Sequence, residues 1–518
     1  MSERVHRSVM NIKVGMLFYI LSLFIAFFSR KVFLDCLGAE FIGLTSMLGN
    51  IMSFLSVAEL GIGTSIVFFL YKPLQEDNHE KINEVMSMLA FLYRCIGGVI
   101  GLCGLIVSIF FPWWFSNLTT IGLSLVYFAF YSFLSSSVAG YVFNYKQLLV
   151  SANQKQYLVN AYFQTISIVQ SIVQILLAYY YRNLWLWVVV GLIFTIIGII
   201  IFNYRIRQLY PWLNINLAKG RENLKKYPEV LKKTRQIFVQ KIKDFILYKS
   251  DEILVGIFTL SVVNVAYFGN YTMIINKFLY LVNILSDGLS AGVGNLLAEG
   301  NEKNIMKVYW EMTAARFFIL GIIIFPLLLF LQPFMGCWLG QQYQMADIIA
   351  YLLIFNLFIR LQPAAVYIFI GASGLYSDVW AAWAELIINI AVTLLLAPKY
   401  GIIGILLGKI ISFSLISFFW KPYYLFSQGF HKSVWEYWRG MAVYYILFLL
   451  FAVLSLWLKD VFVDKFVDSF LSLVICGAAI SIPLLGAFFL LLFQFTTGMK
   501  YFVARKPAVY KIIEHITF

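Results

Sequence analysis

Among the ionisable side chains inside the long apolar runs of this 518-residue chain, ten are of particular interest. A charge at membrane depth is costly, so such residues normally face a protein interior or a water-filled cavity. They fall in the first, second and seventh to twelfth apolar runs, which predicts a central polar cavity lined mainly by runs one, two, seven and eight. The set is Arg30, Glu59, Asp251, Lys277, Asp287, Glu311, Arg316, Arg360, Glu385 and Lys409.

Four of these residues are cations that could bind an anion within the membrane. Lys277 and Arg360 lie about 13 to 14 residues into their runs, or about 20 Å along a helix. At that depth a long side chain reaches the interface poorly, so a functional role is favoured over snorkelling. Arg30 lies near the outward end and could snorkel. Lys409 lies about seven residues into its run, where a buried ion pair is the alternative.

The fifth apolar run contains no charge but has a polar stripe. Its members are spaced by steps of 4, 3, 4 and 3 residues, and they are Asn160, Gln164, Ser167, Ser171 and Gln174. This spacing places all five on one helix face. Hydrogen bonding between packed helices is one interpretation. A cavity wall that binds sugar hydroxyls is the other, and both stay open.

Membrane-spanning helices have to position these side chains, and the composition can supply them. The chain is 61% hydrophobic and 12% charged, whereas soluble domains carry about twice that charged share. The unbroken apolar runs exclude a soluble enzyme and a transmembrane barrel, whose strands alternate apolar and polar residues. We predict an all-α polytopic membrane protein of about fourteen spans. The spans lie near 13–34, 44–70, 86–111, 121–143, 159–181, 185–203, 237–258, 264–294, 306–331, 346–370, 379–397, 402–425, 441–458 and 469–494.

Lysine and arginine are distributed unequally between the two sides of the predicted spans. The side that holds both chain ends carries most of them, and the other side has only Arg30, Lys31, Arg182, Lys399, Lys459 and Lys465. The positive-inside rule then places both termini in the cytoplasm. The net charge of +14 is explained by this topology, and we expect no nucleic-acid partner.

The predicted spans form two six-helix lobes followed by two further helices. The lobes are 1–203 and 237–425, a basic cytoplasmic linker covers 204–236, and 426–518 holds two peripheral transmembrane helices and a cytoplasmic tail. Because these last two helices have no charge at mid-membrane depth, we expect them not to line a transport pathway.

A short pattern indicates that the two lobes are a repeat. His79-Glu80-Lys81 and Asn301-Glu302-Lys303 each open a span, and an arginine, Arg94 or Arg316, follows each lysine at the same distance. The offset is 222 residues in both cases. With six spans per lobe, the repeat would be parallel, about an axis along the membrane normal.

Motifs for catalysis or for binding nucleotides and metals are absent from the sequence. There is no Walker A, GxGxxG, nucleophile elbow or HExxH pattern, and the five cysteines are scattered. The outward loops are short, unlike the large external loops of membrane glycan polymerases and ligases. We expect no enzyme activity, no cofactor and no metal.

Three stretches resemble the start of the bacterial oligosaccharide flippases. They are LGAEFIGL at 37–44, LSVAELGIG at 55–63 and YKPL at 71–74, and NLLAE at 295–299 is similar in the same way. This family comprises the Wzx-type O-antigen and capsular-unit translocases. It belongs to the multidrug/oligosaccharidyl-lipid/polysaccharide (MOP) exporter superfamily.

The resemblance implies a two-lobed flippase of the bacterial cytoplasmic membrane. Its substrate would be an undecaprenyl-diphosphate-linked repeat unit, moved to the outer leaflet for surface polysaccharide synthesis. It also implies that cations of the first and eighth spans, here Arg30 and Lys277, meet the diphosphate. The implied partners are the lipid-linked glycan, membrane lipids and other polysaccharide-assembly proteins.

A chain without a nucleotide site needs another source of energy. A proton or sodium gradient, the membrane potential or removal of product could supply it. The candidate ion-coupling residues are the mid-membrane acids Glu59, Asp251, Asp287 and Glu385, of which Glu59 and Asp287 could instead be partners of the cavity cations.

Two alternatives share the same fold, a lipid II-type flippase and a cation-coupled drug antiporter. An antiporter for cationic drugs would have an acid-dominated aromatic cavity. The presence of Lys277, Arg360 and Lys409 among the mid-membrane charges favours an anionic substrate.

The predicted orientation can be tested by single-cysteine labelling in a cysteine-free background. A cysteine near residue 220 should react with a membrane-impermeant maleimide only after cell lysis, and one within 459–468 should react in intact cells. Labelling of the first position in intact cells would reverse the orientation.

Overall fold

The computed structural model describes residues 3–59, 62–153, 155–226, 246–247, 249–287, 293–294, 296–297, 299–375 and 377–505. Within these ranges every regular element is helical. Contacts between Cα atoms divide the chain into two compact units, Met1–Ala266 and Tyr267–Phe518. The predicted limits of the lobes and linker stay predictions, and 227–236 of the linker lies outside the described residues.

The helices of unit 1 are long and mostly apolar, with a short 3₁₀ turn at Ser56–Glu59. They are α1 (Glu3–Leu37), α2 (Ala39–Leu55), α3 (Ile62–Gln75), α4 (His79–Ser108), α5 (Phe111–Trp114), α6 (Leu123–Asn144), α7 (Gln147–Ala152), α8 (Gln156–Tyr181), α9 (Leu184–Leu209), α10 (Leu217–Lys226) and α11 (Asp251–Thr259). Helix α12 (Val262–Asp287) begins in unit 1 and continues in unit 2.

Unit 2 is also helical, and three of its segments have π-helical hydrogen bonding: Ser414–Trp420, Leu425–Gly429 and Lys459–Val463. Its α-helices are α13 (Glu302–Trp338), α14 (Asp347–Leu361), α15 (Ala364–Ala372), α16 (Val379–Tyr400), α17 (Ile402–Phe413), α18 (Lys421–Tyr424), α19 (Val434–Leu458), α20 (Asp464–Phe466), α21 (Phe470–Phe495) and α22 (Thr497–Ala504).

Eleven helices of the described residues are long and apolar enough to cross a membrane, and each corresponds to one predicted span. The predicted all-α multi-pass architecture is therefore confirmed. Of the three other predicted spans, the second is divided between the 17-residue α2, the 3₁₀ turn and α3. The seventh lies partly outside the described residues, and the eighth corresponds to α12.

Helices α4 and α13 both begin after an asparagine cap, and the predicted repeat stays a prediction. The Oδ1 atom of Asn78 accepts a hydrogen bond from the Lys81 amide at 3.0 Å, and that of Asn301 accepts one from the Asn304 amide at 3.2 Å. An asparagine in this position satisfies one of the free amides of a helix N-terminus. The sequence pattern aligns His79 with Asn301, whereas the caps align Asn78 with Asn301. The two alignments therefore differ by one residue.

The LGAEFIGL stretch joins α1, α2 and the loop before α6. Gly38 has a φ of 87° and a ψ of 157°, a conformation that is essentially restricted to glycine. The Glu40 carboxylate accepts hydrogen bonds from the backbone amides of Thr119 and Thr120 at 2.6 and 2.9 Å. At Gly43, a Cβ atom would overlap the carbonyl group of Val262. The motif therefore provides a sharp turn, a loop anchor and a close helix contact.

The start of the predicted linker packs on unit 1. The Nζ atom of Lys226 on α10 lies 2.7 Å from the Glu84 carboxylate on α4. Gly220 rests so closely on α4 that a Cβ atom would overlap the carbonyl oxygen of Ser87. For the labelling experiment, a cysteine therefore belongs at the exposed Lys219 and not at position 220.

The last two long helices of unit 2 pack against α13 through an aromatic cluster. The Phe325 ring on α13 lies 4.9 Å from the rings of both Phe448 on α19 and Phe488 on α21. Other side chains of the same two helices are exposed, with Leu449 at 65% and Ile482 at 70% exposure. Exposed apolar faces of this kind suit contact with lipid. The prediction that these two helices stay out of the transport pathway remains a prediction.

Two glycines of α2 provide a matched test of the close helix contact. Gly43→Ala should destabilise unit 1 by about 1–3 kcal/mol, because the added methyl group has no space against Val262. Gly49→Ala meets no atom within 4 Å, so it should be neutral or stabilising by up to about 1 kcal/mol. Thermal unfolding of the purified protein in detergent measures both. Equal melting temperatures for the two variants would contradict the contact.

Candidate functional site

Arg30 has a partner inside unit 1. Its Nη2 atom donates a hydrogen bond to the Ala266 carbonyl at 3.0 Å, and the field of the Glu252 carboxylate acts on it. Asn50 Nδ2 donates to Glu252 Oε2 at 2.6 Å. Helices α1, α2, α11 and α12 therefore meet in one polar cluster, which we call the Arg30 cluster (Arg30, Asn50, Glu252 and the Ala266 carbonyl).

The sequence interpretation chose Asp251 and missed Glu252 and Asn50. Asp251 and Glu252 are neighbours in the first turn of α11, and both are half-buried. The role predicted for Asp251 stays a prediction. The nearby Asn50 was a detectable signal, because an amide in an apolar helix usually has a polar partner.

Glu59 ends the 3₁₀ turn in the second predicted span and is bound by a tyrosine. Tyr93 on α4 donates its hydroxyl hydrogen to Glu59 Oε1 at 2.5 Å. The Tyr141 ring lies 5.7 Å from the Tyr93 ring. A Cβ atom at Gly63 would lie 2.9 Å from the Tyr93 hydroxyl, so this glycine leaves room for the pair. A carboxylate held this way by a neutral donor has the chemistry needed to take up a proton.

The polar stripe of the fifth span lies on α8, and its members have different environments. Gln174 is buried, and its Nε2 atom donates to the Trp187 carbonyl on α9 at 3.0 Å. Asn160 accepts a hydrogen bond from Gln156 at 3.1 Å. Gln164 and Ser167 are exposed, and Ser171 is half-buried. Gln174 thus joins helices, whereas Gln164 and Ser167 could contact a ligand.

The predicted cations of unit 2 lie on three different helices. Lys277 on α12 and Arg360 on α14 are half-buried, and Lys409 on α17 is only 5% exposed. Asp287 is the last residue of α12, and its side chain lies outside the described residues. The roles predicted for these residues stay predictions.

Glu385 belongs to a buried hydrogen-bonded network on α16. It is 3% exposed and accepts a hydrogen bond from the Ser417 hydroxyl at 2.8 Å. The Ser417 and Tyr367 hydroxyl oxygens lie 2.9 Å apart. The serine therefore links α16 to α15, so Glu385 is integrated into the fold as well as being a candidate coupling acid.

Asp378, about two helical turns before Glu385, forms a buried ion pair with Lys421. The sequence did not predict this pair. Lys421 Nζ lies 2.7 Å from Asp378 Oδ2, and Trp420 Nε1 donates to the same oxygen at 3.1 Å. The side chains of Lys421 and Asp378 are 13% and 7% exposed. Asp378 comes just before the eleventh predicted span and Lys421 lies near the end of the twelfth, where charges are normally solvated.

Glu311 of unit 2 has a protein partner as well. It is 3% exposed, and the Nε atom of Arg505 donates to its carboxylate at 2.9 Å. The pair attaches the residue that follows α22 to α13. The Glu311 carboxylate is therefore covered by protein and paired with a cation.

An apolar cavity of about 530 Å³ lies within unit 2. Aromatic and aliphatic side chains of α13, α14, α19 and the segment after α17 line it, among them Phe355, Phe358, Phe418, Phe448 and Leu449. No charged residue is part of the lining. The cavity suits hydrocarbon chains and not a diphosphate.

The described residues contain no group of three or more histidine, cysteine, aspartate or glutamate side chains that could hold a metal ion. The polar sites described above consist of hydrogen-bonded and charged side chains. These arrangements can bind anions, hydroxyl groups or protons.

Comparison with solved structures identifies the fold. A lipid II flippase, MurJ, in an inward closed conformation superimposes with a TM-score of 0.65 at 16% identity, over 92% of this chain and 99% of that one. The chain shares the fold of this flippase over nearly all of its length. A multidrug resistance MATE family transporter of the MOP superfamily, in an inward-facing conformation, gives a TM-score of 0.53 at 14% identity, over 80% and 97% of the two chains. The sequence matches no protein-family model and no curated protein.

The buried pair between Lys421 and Asp378 allows a stability prediction. Lys421→Met should cost about 3–5 kcal/mol, because it leaves a buried carboxylate without its cation. Adding Asp378→Asn should recover much of that loss. Lys432→Met removes a cation from the more exposed pair with Glu436, and should cost about 0–1 kcal/mol. Thermal unfolding in detergent measures all three, and similar losses for the two lysine variants would contradict the burial.

Proposed function

We propose that this protein moves undecaprenyl-diphosphate-linked oligosaccharide repeat units from the inner to the outer leaflet of a bacterial cytoplasmic membrane. The observation that carries the proposal is the fold, shared with a lipid II flippase over 92% of this chain and 99% of the other. The flippase-like stretches at 37–44 and 55–63 support the same substrate class.

The charges inside the predicted spans suit the head group of such a lipid. A diphosphate carries about two negative charges and a glycan carries many hydroxyl groups, and neither can cross hydrocarbon unaided. Arg30, Lys277, Arg360 and Lys409 would attract the diphosphate. The exposed Gln164 of the polar stripe would bind sugar hydroxyls.

The polyprenyl chain has different requirements. It needs no polar contacts and can stay in lipid or occupy an apolar groove. The cavity of about 530 Å³ in unit 2, lined by Phe355, Phe358, Phe418 and Phe448, has the right chemistry for it. Because Phe448 lies on α19, this helix would contact the polyprenyl chain while staying out of the pathway of the head group. Alternating access of two lobes would then carry the head group across while the chain remains in an apolar environment.

Transport would be coupled to an ion gradient, the membrane potential or removal of product. Glu59 bound to Tyr93, and Glu385 bound to Ser417, are acids with neutral donors. At Glu59, a proton could be exchanged while Tyr93 remains the hydrogen-bond donor. Asp251 and Asp287 are the other candidates for coupling to protons or sodium.

Two other substrates have support of their own. The lipid II flippase among the similar structures favours a lipid II-type substrate, and the multidrug transporter favours a cationic drug. Lipid II shares the diphosphate-linked polyprenyl chain, so the same cations would serve it. A cationic drug is disfavoured by Lys277, Arg360 and Lys409 among the mid-membrane charges.

Depletion of the protein in its own host separates these substrates. The repeat-unit proposal predicts loss of surface glycan and accumulation of an undecaprenyl-diphosphate-linked oligosaccharide, measured by mass spectrometry of extracted lipids. Accumulation of lipid II with cell lysis would establish the lipid II alternative. Unchanged lipid intermediates with increased drug sensitivity would establish the antiporter.

Lys277 provides the residue-level test of the anionic substrate. Lys277→Ala should reduce surface glycan strongly at normal protein abundance, because a lost charge-assisted contact of about 1.5–3 kcal/mol weakens binding roughly ten- to a hundredfold. Lys277→Arg should retain partial activity, since the charge survives with a different geometry. Arg30→Ala should also reduce glycan, although it removes the bond to the Ala266 carbonyl as well.

Lys399→Ala is the control for that test. It removes a cation from the exposed end of α16, so surface glycan should stay normal. Full surface glycan with Lys277→Ala at low expression would refute an anion-binding role for this lysine and strengthen the antiporter alternative.

A further inference from the structure

A second group of cations lines a cavity in unit 1, away from the Arg30 cluster. The cavity has a volume of about 260 Å³ and lies at the end of unit 1 that is predicted to face the cytoplasm. Arg94 from α4, Lys146 from the turn between α6 and α7, and Arg207 from the last turn of α9 line it together. We call this the Arg207 pocket (Arg94, Tyr145, Lys146, Ile206, Arg207, Tyr210, Leu213, Ile215 and Leu217).

The three cations are close enough for their charges to act on neighbouring groups. Burial lowers the pKa of Lys146, and the charge of Arg207 lowers it further. The charge of Arg94 acts on the Tyr145 hydroxyl. Like charges held together in this way repel one another, and a bound anion would relieve that repulsion.

No carboxylate neutralises the pocket within the part of the chain that the structure describes. None of Arg94, Lys146 and Arg207 forms an ion pair there, and no acid is among the lining residues. Lys146 donates instead to the neutral Asn203 Oδ1 at 3.1 Å. The Glu84 carboxylate on α4 forms its ion pair with Lys226 and not with a cation of the pocket.

The pocket walls are ordered by hydrogen bonds and burial. Tyr210 is 5% exposed, and its hydroxyl accepts a hydrogen bond from Asn153 at 3.1 Å. The loop that forms one side is attached to α4, because Ser87 Oγ accepts from the Asn216 amide at 3.0 Å and Asn83 accepts from the Asn214 amide at 2.9 Å. The fold therefore determines the walls of the pocket and the backbone positions from which the cations extend, and it fixes the Lys146 side chain through Asn203, whereas the side chains of Arg94 and Arg207 are exposed.

We propose that the Arg207 pocket binds a phosphate group on the cytoplasmic side of the membrane. Two arginines and a lysine from three separate elements can surround the oxygens of a tetrahedral anion, and arginine pairs with phosphate through two parallel hydrogen bonds. The same chemistry serves the headgroup of an inner-leaflet anionic phospholipid and a free phosphate compound. This site is additional to Arg30 and Lys277, and it does not depend on which substrate the protein transports.

The test measures binding of two probes to the purified full-length protein in a neutral detergent. Dioleoyl phosphatidylglycerol is titrated by native mass spectrometry, and inorganic pyrophosphate by thermal shift. Arg207→Gln and Lys146→Gln should each weaken binding of at least one probe roughly ten- to a hundredfold. Arg207→Lys should retain part of the affinity.

Arg205→Gln is the matched control. Arg205 lies two residues before Arg207 on α9, is exposed, donates to Gln208 at 2.9 Å and is not part of the pocket. It changes the net charge by the same amount, so a diffuse attraction between a basic surface and anions predicts equal effects of Arg205→Gln and Arg207→Gln.

The outcomes distinguish the source of the phosphate. Selective loss of phosphatidylglycerol binding in the pocket variants identifies a lipid headgroup, and selective loss of pyrophosphate binding identifies a free phosphate compound. Equal effects of Arg205→Gln and the pocket variants on both probes, with unchanged melting temperatures, would overturn the proposal. So would the absence of binding by either probe to the unmodified protein.

Discussion

A polar side chain inside a bilayer has to find its hydrogen-bond partner within the protein, and much of this structure follows from that constraint. Leaving such a group without a partner in an apolar environment costs several kcal/mol. Arg30 reaches a backbone carbonyl, Glu59 accepts from Tyr93, and Glu385 accepts from Ser417. Each bond joins elements that are distant in the chain, so the need to satisfy polar groups also determines which helices pack together.

The same bonds affect how a transporter of this fold would move. The bonds of the Arg30 cluster, the Glu59–Tyr93 bond and the bonds around Glu385 each lie within one compact unit. Since these contacts are costly to break in hydrocarbon, the helices of a unit should move together. A conformational change would then place its largest displacements between groups of helices, as rigid-body rocking requires.

The cations of the protein belong to two classes with different consequences. Some are neutralised by the fold itself, as Lys421 is by Asp378 and Arg505 is by Glu311. Others, such as Arg94 and Arg207, share a cavity that has no acid among its lining residues. A neutralised cation contributes to stability, whereas a group of cations around an empty volume retains an attraction for an external anion. Whether a cation has an acidic partner or lines a cavity therefore distinguishes a structural charge from a candidate binding charge. Its depth in the membrane distinguishes the two less well.

The sequence by itself determined the class of the protein and the position of most of its helices. Eleven predicted spans correspond to long apolar helices, because the thickness of the hydrocarbon core sets the length of each run. The second span was less predictable: its apolar run contains the Ser56–Glu59 turn, whose polar residues depend on Tyr93 and on neighbouring backbone.

Only the tertiary structure decided which polar residues meet. Asn50 and Glu252 are 202 positions apart, and Arg94, Lys146 and Arg207 come from three separate elements. Hydropathy records how deep a residue lies along one helix, but it carries no information about which helix faces it. The sequence could not predict that α10 packs on α4 for the same reason, because a basic segment has the same composition whether it covers lipid or protein. Side-chain partners arise from packing in three dimensions, and in this protein packing determines whether a charge is structural or free to bind.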